Sequence, residues 1–231
     1  MSDQPGKLIG SGRAADVYDL GDGTVLRRYR ARVGDVEREA EVMRYVRSHG
    51  FPAPMVFSAA GTDLVMEKIE GRTMMAKLID SPASVYFHGR LLARLLSALG
   101  EISAPDWLMA PGFAAHPSGD RVLHLDLHPM NVMITEKGPV VIDWTNAAGG
   151  PAGFDSAMTY VVMATYDTAN QKEWLGQQVL VRSFRRARGR RVLDPFIATA
   201  CDHRLADPGT SPEERVAVAE LRAKVTRTDQ E

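Results

Sequence analysis

One stretch, His124-Leu125-Asp126-Leu127-His128-Pro129-Met130-Asn131, constrains this chain more than any other. It grows out of a β-prone segment, Arg121 to Leu125, and is followed by two more, Val132 to Thr135 and Val140 to Ile142, the last running into Asp143-Trp144. Turns at strand ends are where a rigid scaffold presents reactive side chains. Asp126, Asn131 and Asp143 thus emerge from adjacent strand ends as two carboxylates and an amide. Phosphoryl transfer from a nucleoside triphosphate asks for such a set: a carboxylate to take the proton of an acceptor hydroxyl, and oxygen ligands to hold Mg²⁺ against the phosphates. Oxygen donors suit a hard cation better than zinc.

The surrounding chain changes grammar part-way. Val17 to Leu20 and Thr24 to Tyr29 flank Gly21-Asp22-Gly23, a hairpin signal. Val36, Ala40, Met43 and Arg47 recur at helical spacing, and Gly50 follows where a helix should stop. Phe51-Pro52-Ala53-Pro54 forces an extended connection into a short buried strand at Leu64-Val65-Met66. From Ser81-Pro82, read as an N-cap and first helical residue, the pattern turns helical, with Leu91, Leu92, Leu95, Leu96 and Leu99 forming a broad stripe. Phe154 to Tyr166 reads as a buried helix, and Ser211-Pro212-Glu213-Glu214 as a capping box opening the last one. A length of 231 residues accommodates two lobes. The expectation is an α+β, two-lobed fold: a small β-rich lobe over residues 1–68 and a larger, mostly helical lobe over 69–231.

Composition narrows the partners. Lys and Arg number 28 against 29 Asp and Glu, a net charge of −1, so no bulk field draws in nucleic acid or anionic lipid, and neither is expected as a partner. No apolar run approaches the ~18–20 residues of a membrane span. The single cysteine, Cys201, is read as a buried small hydrophobe that forms no internal disulfide, and the polar start MSDQPGK carries no apolar signal core, which together point to the cytoplasm.

The stretch from His124 resembles the catalytic loop of the aminoglycoside phosphotransferase and choline kinase-like families, small-molecule kinases with the protein-kinase fold, in which H-x-D-x-x-x-x-N precedes I-D-[FW]. The resemblance implies that Asp126 is the catalytic base, that Asn131 and Asp143 ligate Mg²⁺, and that His124 holds the loop together. It also implies ATP or GTP as phosphoryl donor and a small-molecule hydroxyl as acceptor. Further elements follow in the families' order. Ile9-Gly10-Ser11-Gly12-Arg13-Ala14-Ala15-Asp16-Val17-Tyr18 looks like the glycine-rich loop: Gly10, Ser11, Gly12 and Arg13 would approach phosphate through backbone N–H groups, and Val17 would cover the base. Ala15 stands where protein kinases carry a third glycine. Val25 and Arg27 share one face of their strand, and Arg27 falls where the families carry lysine. Its partner would be Glu39, which the 100° helical step places near the Val36, Ala40 and Met43 face while Glu37 and Glu41 turn away. Leu64 to Gly71 resembles the hinge, where backbone groups from Glu67 to Ile69 would meet the nucleobase. Asp155 matches a polar position just after the metal loop, and also reads as an acid in a helix's first turn.

Two other readings compete. Arginine keeps the positive charge and grips phosphate bidentately, but it is not interchangeable with lysine at a tight site, which leaves a catalytically impaired, nucleotide-binding pseudokinase as the second reading. A zinc-binding H-x-D-x-H reading of His124, Asp126 and His128 uses plausible ligands but leaves the glycine-rich loop, Arg27, Glu39 and Asp143 unexplained. The acceptor is not legible. Asp202, Asp207, Glu213 and Glu214 are late acidic candidates for a cationic one, with solvent-facing charge as the plainer reading. The arginines at 182, 185, 186, 188, 190 and 191 read as a solvated helix face and loop, and the sequence carries no signal for the oligomeric state.

Overall fold

The computed structural model describes residues 5–12, 14–30, 35–108 and 116–228. Among them the chain runs β1 (Lys7–Ser11), β2 (Ala15–Asp19), β3 (Thr24–Tyr29), α1 (Val36–Ser48), β4 (Val56–Ala60), β5 (Asp63–Glu67), β6 (Arg72–Thr73), α2 (Met74–Asp80), α3 (Val85–Leu99), β7 (Arg121–Leu123), β8 (Val132–Thr135), β9 (Gly138–Val141), β10 (Ala148–Gly150), α4 (Ala152–Thr165), α5 (Gln171–Arg188), α6 (Arg190–Leu193), α7 (Ile197–Ala206) and α8 (Pro212–Thr228). These residues form two compact units, one within Met1–Arg72 together with Val132–Thr145, the other within Thr73–Asn131 together with Asn146–Glu231.

The first unit is built on an antiparallel sheet ordered β1-β2-β3-β5-β4. Gly21 and Gly23, at φ 85° and 83°, make the turn into β3, and Asp22 Oδ1 between them accepts from the Thr24 N–H at 3.0 Å. Asp35 caps α1 by accepting from the Arg38 N–H, and the helix buries Val36, Ala40, Met43 and Val46, the face its periodicity marks. The β8–β9 hairpin belongs here too. Val141 N donates to Pro52 O at 2.8 Å, and Trp144, fully buried, meets Phe51 edge-on at 5.6 Å.

The second unit is helical around one ribbon, in which β7 pairs antiparallel with β10, Leu123 opposite Ala148. β10, whose last residue Gly150 lies opposite Arg121 at the start of β7, leads directly into α4, whose Phe154, Ala157, Met158 and Val161 are buried. The α3 leucines 92, 95, 96 and 99 are buried. α3 packs on α5, and at Gly89 a Cβ would stand 2.7 Å from Leu180 O. Cys201 is buried, and burial pushes its thiol up to about 11.

Two local expectations are corrected. Ser81-Pro82 opens a 3₁₀ turn over Pro82–Ser84 with no side-chain cap, and α3 begins at Val85; the helix before it, α2, is capped by Thr73. At α8 only half of the capping box forms. Ser211 Oγ accepts the Glu214 N–H at 3.2 Å, but the Glu214 carboxylate takes the Arg204 guanidinium at 2.7 Å, because an ion pair competes better for it than a neutral backbone donor.

Candidate active site

In the first unit, β3 and α1 set the charged centre. Arg27 Nη1 donates to Glu39 Oε1 at 2.8 Å, and its Nη2 donates to Asp143 Oδ1, also at 2.8 Å. Glu39 is buried because it sits on the α1 face that packs on the sheet; Glu37 and Glu41 do not share that face. The second Glu39 oxygen accepts from the Tyr29 hydroxyl at 2.5 Å. That hydroxyl lies 3.0 Å from Thr145 Oγ1, which in turn donates to Asp143 Oδ1 at 2.9 Å. Asp143 itself has φ 64°, left-handed for a residue with a Cβ, so the turn after β9 is held by this network rather than by local preference. Burial works against the Arg27 charge, but Glu39 and Asp143 more than offset it and raise its pKa. Burial pushes the Glu39 carboxyl up, against the pull of Arg27 and the Tyr29 hydroxyl.

Tyr29 and Thr145 were not singled out from the sequence. A signal exists for the first: Tyr29 is two residues beyond Arg27 and so lies on the same face of β3. Tyr29→Phe removes one of the donors to the buried Glu39 carboxylate. Hydrogen bonds to charged groups are worth about 1.5–3 kcal/mol, so unfolding in urea should register a loss of about that size.

The remaining nucleotide-site candidates also lie in this unit. Gly10 pairs with Val17 beside an irregularity in the β1–β2 register, Gly12 N donates to Ala15 O at 2.9 Å, and Arg13 lies outside the described residues. Ser11 Oγ donates to Asp16 Oδ1 at 2.7 Å and receives Arg30 at 2.6 Å, so its hydroxyl is engaged with β2. Val25 is buried within the sheet. The Glu67 N–H donates to Met55 O and the Lys68 N–H to Gly23 O, so the first two hinge N–H groups are spent on the sheet. The Ile69 N–H makes no backbone hydrogen bond among the described residues.

In the second unit, the loop after β7 is suspended from α4. Asp155, fully buried, accepts the His124 N–H on Oδ2 and the Leu125 N–H on Oδ1, both at 2.8 Å. Burial raises its carboxyl pKa against those two bonds. Gripped this way, Leu125 takes φ 64°; it and Asp143 are the two non-glycine residues with positive φ among those described. His124 is fully buried, and its Nδ1 accepts the Asp126 N–H at 3.3 Å, so the imidazole braces the loop. Asn131 Nδ2 donates to Asp126 O at 2.9 Å and stands 3.4 Å from Asp126 Oδ2, which leaves Oδ1 as the Asn131 atom available to a cation. His128 Nε2 lies 3.7 Å from Asp126 Oδ2, and the Asp126 side chain remains 23% exposed. Among the described residues no group of three or more His, Cys, Asp or Glu is arranged to hold a metal.

The late acids are largely spoken for. Asp202 binds Arg222 at 2.9 Å, and Asp207 and Glu214 share Arg204 at 3.1 and 2.7 Å.

A model of the phosphotransferase enzyme family matches residues 5–121 and 113–196. The chain belongs to this family. Solved structures place this phosphotransferase-family chain in the same fold. A thermostable mutant of aminoglycoside phosphotransferase APH(4)-Ia, apo form, superposes with a TM-score of 0.65 at 16% identity, over 96% of this chain and 94% of that one. The Plasmodium vivax ethanolamine kinase gives 0.64 at 12% identity, over 96% and 83%. Amicoumacin kinase hAmiN, in complex with AMP-PNP, Ca²⁺ and Ami, gives 0.54 at 14% identity, over 97% and 89%. APH(4)-Ia has also been solved as a ternary complex with AMP-PNP and hygromycin B. Over 66 residues the chain is 39% identical to the EKC/KEOPS complex subunit BUD32 of Encephalitozoon cuniculi; the match spans 27% of this chain and 33% of that relative's length. The α+β architecture expected from the sequence is thus the kinase-like fold of the phosphotransferase family. No described helix is long and apolar enough to cross a membrane.

Proposed function

We propose that the protein is a small-molecule kinase that transfers the γ-phosphoryl group of ATP or GTP to a hydroxyl of a small acceptor in the cytoplasm. Residues 1–68 serve as the nucleotide-binding lobe and 69–231 as the catalytic and acceptor-binding lobe. The observation that carries this reading is the Asp126–Asn131 pairing. The amide nitrogen is turned inward to the loop backbone, its oxygen is left for a cation, and a partly exposed carboxylate stands beside it.

Asp126 orients the acceptor hydroxyl and takes its proton as the oxygen attacks. Asn131 and Asp143 supply oxygen ligands that fit Mg²⁺. When bound, the metal neutralises charge on the phosphates. Arg27, anchored by Glu39, directs a guanidinium edge at the same phosphates and holds Asp143 in place. Gly10, Ser11, Gly12 and Arg13 cover the phosphates through the backbone, Val17 and Val25 contact the base, and backbone groups at Glu67 and Ile69 read its edge. APH(4)-Ia seen with AMP-PNP and hygromycin B supports a nucleotide and a small-molecule acceptor as the two substrates. The acceptor stays at the level of a hydroxyl compound, and three of the four late acids, being paired with arginine, are poor candidates to bind a cationic one.

The second reading, a nucleotide-binding pseudokinase, is favoured by one feature, arginine at position 27. Melting with and without Mg²⁺ and AMP-PNP, beside a nucleotide-turnover assay, separates the two. A rise in melting temperature that needs both Mg²⁺ and nucleotide, together with turnover stimulated by an acceptor, is expected for the kinase. Stabilisation without turnover over a broad hydroxyl panel would assign the pseudokinase. Arg27→Lys raising turnover would support the phosphate-gripping role of position 27.

A further inference from the structure

Away from the loops that carry Asp126 and Asp143, one concave surface of the helical unit gathers charge of a single sign. Beside the close approach of α3 and α5 at Gly89 lies a groove of about 250 Å³, lined by Tyr86, Arg90, Arg94 and Ser97 of α3 and by Ser183 and Arg186 of α5. Among the described residues its three guanidinium groups meet no carboxylate. Arg90 reaches the Tyr86 hydroxyl at 3.4 Å, Arg94 lies over the Phe87 ring at 5.6 Å, and Arg186 forms no ion pair among the described residues. Within the two helices acids are scarce. α3 contains no Asp or Glu, and α5 has only Glu173 in its first turn, where it is bonded to Asn170 and the Ala169 N–H.

Three arginines of the same basic segment are engaged elsewhere, whereas Arg182 and Arg191, like Arg186, form no ion pair among the described residues. Arg185 and Arg190 share Asp194 at 2.7 and 3.4 Å, and Arg188 donates to Ser156 and Ser97 Oγ. The segment is therefore not a uniform solvated face, and what separates Arg186 is the groove it shares with Arg90 and Arg94.

Three cations facing one small volume repel each other until an anion enters it, and the planar guanidinium fork matches a tetrahedral oxyanion two bonds at a time. The serine hydroxyls do not compete as donors: Ser183 donates to Tyr86 O and Ser97 to Ala93 O. The volume falls just short of the ~300–1,000 Å³ of drug-sized pockets, which suits a phosphate group and a few further atoms.

We propose that this groove is a second binding site, taking the phosphate group of a phosphomonoester or diphosphate through Arg90, Arg94 and Arg186. It lies within the helical unit and shares no residue with the proposed nucleotide site, so it stands or falls independently of the kinase reading.

The test is calorimetric titration of glycerol phosphate and inorganic pyrophosphate into the full chain at low ionic strength, where charge pairing is least screened. Wild type is compared with Arg27→Ala and with the double variant Arg94→Gln/Arg186→Gln. Saturable binding that persists in Arg27→Ala and weakens tenfold or more in the double variant, with that variant's unliganded melting temperature unchanged, is the expected result. Affinity untouched in the double variant, loss confined to Arg27→Ala, or equal competition by chloride at matched ionic strength would each overturn it. Phosphatidylglycerol vesicles form the second arm. Binding of soluble glycerol phosphate without vesicle association identifies a free phosphate ester, and vesicle association abolished in the double variant identifies a lipid headgroup. Binding of neither probe overturns the site.

Discussion

With Asp126 as the proposed base, Asp126→Asn is expected to lower nucleotide turnover by about 10²–10⁴-fold, the contribution of a positioned general base, while leaving the loop and the melting temperature as they are. The two effects separate because the side chain carries little of the loop's scaffolding. The Asp126 N–H goes to the His124 ring and the Asp126 carbonyl receives the Asn131 amide, and both bonds belong to the backbone at that position. Its carboxylate meets Asn131 Nδ2 only at 3.4 Å and His128 Nε2 only at 3.7 Å. An asparagine fills the same space without accepting a proton at neutral pH. Stopped-time assays of nucleotide consumption, run beside a melt with Mg²⁺ and AMP-PNP, check both halves. Turnover equal to wild type would remove Asp126 from the role of base, and the pseudokinase reading predicts no difference because there is no catalysis to lose.

Asp155→Ala should cost far more in stability than a helix-surface acid would. Both carboxylate oxygens are engaged, each by a buried backbone N–H, and the alanine leaves the His124 and Leu125 donors without acceptors. An unsatisfied buried donor costs about 1–3 kcal/mol, so the pair sums to about 2–6 kcal/mol, a large part of a domain's net stability. Leu125 would also be freed from its left-handed backbone, and turnover should fall with the fold even though Asp155 is not proposed to touch substrate. Denaturant unfolding of wild type and variant reads the first effect. A loss below about 0.5 kcal/mol, the range of ordinary surface substitutions, would show that the two bonds do not hold the loop.

Elements whose information is local were legible in the sequence. Gly21-Asp22-Gly23 carries its turn in its own backbone freedom, and the α3 leucine stripe carries its buried face in its spacing. The resemblance called for an acidic partner to Arg27 on the first helix, and the helical step chose Glu39, twelve positions on, over Glu37 and Glu41. What such spacing missed depends on distant partners. Thr145 reaches Tyr29 across 116 positions, and Asp155 reaches back 30 and 31 to the loop it suspends; neither distance has a periodicity to reveal it. Ser81-Pro82 carries the chemistry of a helix start, yet the next helix waits until Val85, since local capping preference does not decide where packing begins. The late acids looked available because the sequence does not show that Arg222 and Arg204 fold onto them.

The chain leaves its first unit after Arg72, returns to it at Val132 and departs again after Thr145. Synthesis from the N-terminus therefore makes the five-stranded sheet long before the last members of its unit exist. Until Asp143 and Trp144 have emerged, Arg27 has Glu39 but not its second carboxylate, and Phe51 lacks its aromatic neighbour. No single cut in the polypeptide releases that unit whole. A fragment ending at residue 72 would carry the strands without the hairpin that completes them, and a fragment starting at 73 would carry that hairpin without its sheet. Any piece that is to hold the first unit entire must therefore contain both of its segments, 1–72 and 132–145.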